Sequence, residues 1–199
     1  MEFERIIALD PGEPKGSTAR YDLAIARARR GDYQTAIALL GEALRRDPGF
    51  TAAAANLVTV STLAGDLAGA RAAADRFVAL APASARARYE RGLVAVRAGD
   101  LATAATDFRA LIAGDPSYAV AHYDLALVEL HSGDLDAAHL ELERALAIAP
   151  AYARARFALG TVLVRLDRRA DARAAFDRAA HDASEETLRA LAIDLRDRM

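Results

Sequence analysis

The side chains best suited to chemistry are four histidines, His122, His131, His139 and His181, in a chain without cysteine. None has the HExxH spacing that sets two imidazoles and a general base on one side of a helix, and His139 and Glu141 leave a helix in different directions. No glycine-rich phosphate loop and no nucleophile elbow occurs, so phosphoryl and acyl transfer lack their usual apparatus. Isolated serines and threonines read as helix caps and helix surface. The expectation is no catalytic residue, no metal site and no cofactor.

What recurs is recognition chemistry. Tyr21, Ala55, Tyr89, Tyr123 and Phe157 follow one another at intervals of 34 residues, as do Ile25, Thr59, Leu93, Leu127 and Thr161. A third column reads Arg29, Leu63, Arg97, His131 and Arg165. Four-residue offsets keep these columns on one side of a helix. Rings and guanidinium groups dominate interface energies, so the ladder is a candidate binding face; the competing reading is that each ring only packs between neighbouring repeats. With Arg86 and Arg154 the face carries five arginines against Asp22, Glu90 and Asp124. That balance favours an acidic segment or a chain carboxyl terminus as ligand. Ala55, Thr59 and Thr62 are small where other units are bulky, which predicts a recess between Tyr21 and Tyr89 for an anchor side chain. A plain rung in an alanine-rich unit is the alternative.

The elements that must position these residues are punctuated with the same period. Gly31-Asp32, Gly65-Asp66, Gly99-Asp100 and Gly133-Asp134 are spaced by 34, and Pro48, Pro82, Pro116 and Pro150 each lie 17 residues after such a step. Inside a helix a glycine costs about 1 kcal/mol and a proline about 3 relative to alanine, so these positions mark ends. Glycine closes a helix in the left-handed conformation, aspartate caps the next one, and proline stops the second. Each unit is then two helices of about 13 residues. Two columns hold only alanine: Ala19, Ala53, Ala87, Ala121 and Ala155, and Ala36, Ala70, Ala104, Ala138 and Ala172. Small side chains repeated in this way let another backbone pass close by. A lone helical hairpin cannot bury its apolar side, so the hairpins must stack.

Composition agrees with helices. The 199 residues include 51 alanines and 12 aromatics, with no tryptophan. A formal charge of -2 gives no field to attract nucleic acid or an acidic membrane. Neither a secretory core nor a membrane-length run is present, which leads to an expectation of a cytoplasmic protein.

The period, the Gly-Asp turn, the alanine columns and the closing proline resemble the tetratricopeptide repeat family. Leu23, Gly31, Asp32, Tyr33, Ala36, Ala43 and Pro48 carry the resemblance in the first unit, Gly92, Gly99, Ala104, Phe108 and Pro116 in the third, and Leu125, Gly133, Ala138, Ala145 and Pro150 in the fourth. The implied fold is all-α, a right-handed α-solenoid of hairpins: an amino-terminal partial repeat at 1–16, repeats at 17–50, 51–84, 85–118, 119–152 and 153–186, the last degenerate, and a capping helix at 187–199. The family's tryptophan is missing, and Asp167-Arg168-Arg169 replaces the turn of the fifth unit. Arg91 stands where four units have leucine, either snorkelling past its neighbours or pairing with a carboxylate.

The resemblance implies a non-catalytic adaptor that grips a peptide or helix of a partner in a concave groove. The groove residues would be Tyr21, Ile25, Arg29, Ala55, Asn56, Thr59, Arg86, Tyr89, Leu93, Arg97, Tyr123, Leu127, His131, Phe157 and Arg165. Of the family's carboxylate clamp only Asn56 and Arg86 sit at matching places, with Tyr21 and Ile25 replacing the lysine and asparagine, so a chaperone-tail adaptor is not expected. A monomer is favoured over a homo-oligomer; the alternatives are a self-associating scaffold and the interaction arm of a separate enzyme.

Overall fold

Every Gly-Asp step ends one helix and begins another, and among the described residues every regular element is a helix. A computed structural model describes residues 14–198, which form eleven α-helices. They are α1 (Pro14–Arg29), α2 (Tyr33–Arg46), α3 (Thr51–Leu63), α4 (Leu67–Leu80), α5 (Ala85–Arg97), α6 (Leu101–Gly114), α7 (Ala119–Ser132), α8 (Leu135–Ile148), α9 (Ala153–Arg165), α10 (Arg169–Asp182) and α11 (Glu186–Asp197). The expected amino-terminal partial repeat lies outside the described residues apart from 14–16, which belong to α1.

The turns work as the residue types require. Gly31, Gly65, Gly99 and Gly133 have φ of +79°, +75°, +74° and +87°, and the aspartates that follow accept from backbone N–H groups of the next helix: Asp32 from Thr35, Asp66 from Gly69 and Asp134 from Ala137. In the fifth unit Asp167 takes the left-handed place at φ 58°. Arg168 follows it without a side-chain cap bond and donates through Nε to Asp171 Oδ2 at 2.9 Å. The degenerate turn keeps the backbone path and loses the cap.

The chain divides into two units, one ending at Asp100 and the other starting at Leu101. In the first, α1 packs on α2, α2 on α3, α3 on α4 and α4 on α5, while α3 also touches α5. In the second the same succession runs from α6 to α11, with α7 touching α9. Both alanine columns are buried throughout, from Ala36 to Ala172 at 0% exposure in the second-helix column. Unit one's core adds Leu40, Leu44, Val58, Val60 and Phe77; unit two's is built around Leu142, Val162 and Phe176.

Many arginines tie the loops. Arg88 Nη2 donates to the Pro82 carbonyl at 3.1 Å, His122 Nε2 lies 3.1 Å from that of Pro116, and Arg156 Nη2 donates to that of Pro150. The second unit of the sequence has Ala54 at this place, and Arg76 Nη2 serves instead, reaching the carbonyls of Leu44 at 3.0 Å and Pro48 at 3.1 Å. Arg91 pairs with a carboxylate, its Nη1 lying 3.5 Å from Asp75 Oδ1. In α11 Glu185 holds the N-cap place; Leu191 is 48% exposed while Ala192 is buried, so the packed side runs through Leu188, Ala192 and Leu195.

Candidate functional site

In unit one the ladder residues ride on α1, α3 and α5. Tyr21 is half-buried, its ring 5.1 Å from that of Phe50 at a 41° tilt. Asn56 Nδ2 donates to the Tyr21 hydroxyl and to the Ala52 carbonyl, both at 3.0 Å. This ring and this amide donor are thus engaged between neighbouring repeats. Ala55 is only 4% exposed, in the core beside Ala54, so a tyrosine placed there strikes packed helices and does not plug an open recess. The cavity lies about a turn further along, between α3 and α5, with a volume of about 250 Å³. Thr59, Thr62, Leu63, Leu93 and Arg97 line it together with Val58, Glu90 and Val94. Arg86 pairs through Nε with Glu90 Oε1 at 2.7 Å and stands 6.0 Å from the Phe77 ring centroid. Arg29 and Arg97 are exposed, Ile25, Tyr89 and Leu93 half-buried.

In unit two the ladder residues converge. Tyr123 and Leu127 from α7 and Phe157 from α9 wall a recess of about 530 Å³, completed by Leu130, Arg154, Ala158, Thr161, Glu185 and Leu188 of α11. The rings are propped from behind. Tyr123 lies 5.1 Å from Tyr152, and Phe157 meets Phe176 edge-on at 5.4 Å. Phe176 in turn presses on Gly160, where a Cβ would come within 2.7 Å of its ring. Burial pushes the Tyr123 hydroxyl above its ordinary value, reinforced by the Asp124 carboxylate and opposed by Arg154. Burial, then Tyr123 and Asp124, pushes Tyr152 up to about 12. Arg154 Nη2 donates to Glu185 Oε1 at the mouth, and this bond raises the guanidinium's affinity for its proton. His131 and Arg165 are exposed and stand outside the walls; Arg165 Nη1 donates to the Leu130 carbonyl at 2.9 Å.

The buried polar cluster of unit two was not visible in sequence. His122 is 3% exposed, its Nδ1 2.6 Å from Glu141 Oε2, and Glu141 Oε1 accepts from Arg144 Nη1 at 2.5 Å. Glu129 nearby accepts from Arg109 at 3.2 Å, and burial holds its carboxyl above the usual range. The available signal was the column that His122 shares with Arg20, Arg88 and Arg156. Among the described residues no group of three or more His, Asp or Glu side chains could hold a metal ion.

Stacked pairs of antiparallel helices with left-handed glycine turns and alanine crossings have a counterpart in known proteins. One model of the tetratricopeptide repeat matches residues 27–91 and 129–192, and a second matches 90–153. The chain belongs to the tetratricopeptide repeat family. Its fold is the all-α solenoid class of that family, and as a chain of tetratricopeptide hairpins it is a protein–protein interaction module.

Solved structures resemble it along most of its length. A MamA protein is 26% identical with a TM-score of 0.77, over 83% of this chain and 91% of that one. YrrB, described as a TPR protein with an unusual peptide-binding site, is 16% identical with a TM-score of 0.76 and 98% of both chains covered. TTC0263, a thermophilic TPR protein of Thermus thermophilus, is 22% identical with a TM-score of 0.65, over 90% of this chain and 98% of that one. No curated protein matches the sequence. Among the described residues no helix of these tetratricopeptide hairpins is long and apolar enough to cross a membrane.

Proposed function

We propose that the first helices of the hairpins bind an extended or helical segment of a partner protein, with side chains of the ladder as contacts. The observation that carries this reading is the meeting of Tyr123, Leu127 and Phe157, which the sequence separates by up to a full period, as walls of one recess of about 530 Å³. That size falls within the range of about 300–1,000 Å³ usual for ligand pockets. A preference for acidic segments is supported by the exposed Arg29 and Arg97, while Arg86 is paired with Glu90, Arg154 with Glu185, and Arg165 is used on a helix end.

The test is affinity capture with the wild-type chain and with a variant carrying Tyr123→Ala and Arg97→Glu. Proteins captured by the first and absent from the second are the partners. Identical captures from two folded proteins would remove the groove from consideration.

Self-association is a second reading, favoured by Leu191 and Ile193, which α11 leaves 48% and 36% exposed. It predicts a scattering mass that grows with concentration and falls after Leu191→Glu. A constant monomer mass excludes it.

A further inference from the structure

We propose that the recess of unit two takes a large apolar side chain, aromatic for preference, from an acidic segment of a partner, and that Glu185 stands in for a carboxylate of that segment until it arrives. This rests on the groove reading above and names the chemistry of one place in it.

The interior is apolar and already formed. Tyr123, Leu127, Leu130, Phe157 and Leu188 supply most of its wall. The two rings are braced by Tyr152 and Phe176, so little ordering remains when a ligand enters. Thr161 donates its hydroxyl to the Phe157 carbonyl at 3.2 Å, which satisfies that donor within its own helix. A guest ring can meet the wall rings edge-on or offset, the arrangements aromatic pairs prefer.

Charge selects what flanks the guest. Arg154 is the one cation among the lining residues, and its partner is Glu185. Their side chains are 58% and 53% exposed. An ion pair this open to water contributes little, so a carboxylate from a ligand can replace that of Glu185 at small cost. The bound Glu185 oxygen marks where the incoming carboxylate sits. Glu185 precedes α11, which also supplies Leu188, so the same short segment closes the mouth and furnishes a wall.

The test uses the full chain and fluorescence anisotropy with three labelled peptides: Gly-Ser-Asp-Phe-Asp-Gly-Ser, a version with both aspartates replaced by asparagine, and a version with the phenylalanine replaced by alanine. The first binds best. Glu185→Ala and Glu185→Gln each tighten it about two- to fivefold, since they remove a weak internal competitor. Arg154→Ala weakens it about tenfold and abolishes the preference over the asparagine peptide. Circular dichroism verifies that every variant is folded. No binding by the first peptide, equal binding of the phenylalanine and alanine peptides, or an affinity unmoved by both Glu185 variants overturns the proposal. A captured partner that is lost on Tyr123→Ala yet indifferent to Glu185→Ala and Arg154→Ala would leave the groove reading standing and remove this one.

Discussion

The ring column places Tyr21 and Tyr89 in unit one and Tyr123 and Phe157 in unit two, and Tyr21 is treated differently from the two rings of unit two. Tyr21 leans on Phe50 and accepts a hydrogen bond from Asn56, and it does not line unit one's cavity. What opens there is a cleft of about 250 Å³ among threonine and aliphatic side chains, with Glu90 and Arg97. In unit two the rings are braced from behind and present their free sides to a recess about twice as large. The lesson is that a residue's column does not determine its exposure; what stands behind and beside the ring does. Phe176 fits behind Phe157 because Gly160 has no Cβ to exclude it.

The sharpest way to break this contrast is Phe176→Ala. The side chain is 1% exposed, and its loss is expected to lower stability by about 3–5 kcal/mol in denaturant unfolding and to let Phe157 fall back, so that the recess loses its ligands as well. Unchanged stability would show that the brace is not what shapes unit two.

Gly160→Ala comes next, at about 1–3 kcal/mol, because its methyl group would overlap the Phe176 ring. Combining it with Phe176→Leu should recover much of that loss, since alanine with leucine is the pairing found at Ala24 and Leu40 and at Ala126 and Leu142. Additive losses in the double-mutant cycle would refute the fit.

On the unit-one side, Tyr21→Phe removes the hydroxyl that accepts from Asn56 and should cost about 0.5–1.5 kcal/mol while leaving binding at Arg154 untouched. A change in that binding would contradict the separation of roles.

The smallest effect is spectroscopic. Tyr152 ionises at about 12 in the folded chain, against about 10 for an exposed tyrosine. The raised value means that the neutral ring is favoured by folding. Its contribution is complete below pH about 10 and is lost between about 10 and 12, where the unfolded chain ionises first. Tyrosinate absorbance should show a late step near 12 that Tyr152→Phe abolishes. A titration unaltered by the substitution would mean that the ring is more open than the recess requires.

Much of the architecture was legible because its rules are local. The Gly-Asp steps and the prolines mark helix ends by backbone conformation and missing donors, and the alanine columns mark close crossings. The proposed binding face was legible only as a list of columns. Asn56, Ala55 and Arg165 carry the right spacing, yet one is bonded to Tyr21, one is buried, and one holds the Leu130 carbonyl. Glu185 closes the degenerate fifth repeat in a column whose other members are Gly49, Ala83, Ser117 and Ala151, and Leu188 lies beyond the repeats, so periodicity could not nominate them. The pairing of His122 with Glu141 was hidden although His122 shares a column with Arg20, Arg88 and Arg156, because it joins side chains of two helices 19 residues apart.

By itself the sequence determined an all-α chain of 34-residue hairpins, the places where helices stop, and the side of each first helix on which rings and arginines fall, because capping, chirality and a 3.6-residue turn act within a few residues. Only the tertiary structure decided which of those rings remain available and where a recess opens. That outcome depends on the volume left between helices far apart in sequence, down to the missing methyl group of Gly160 and the reach of Glu185 to Arg154.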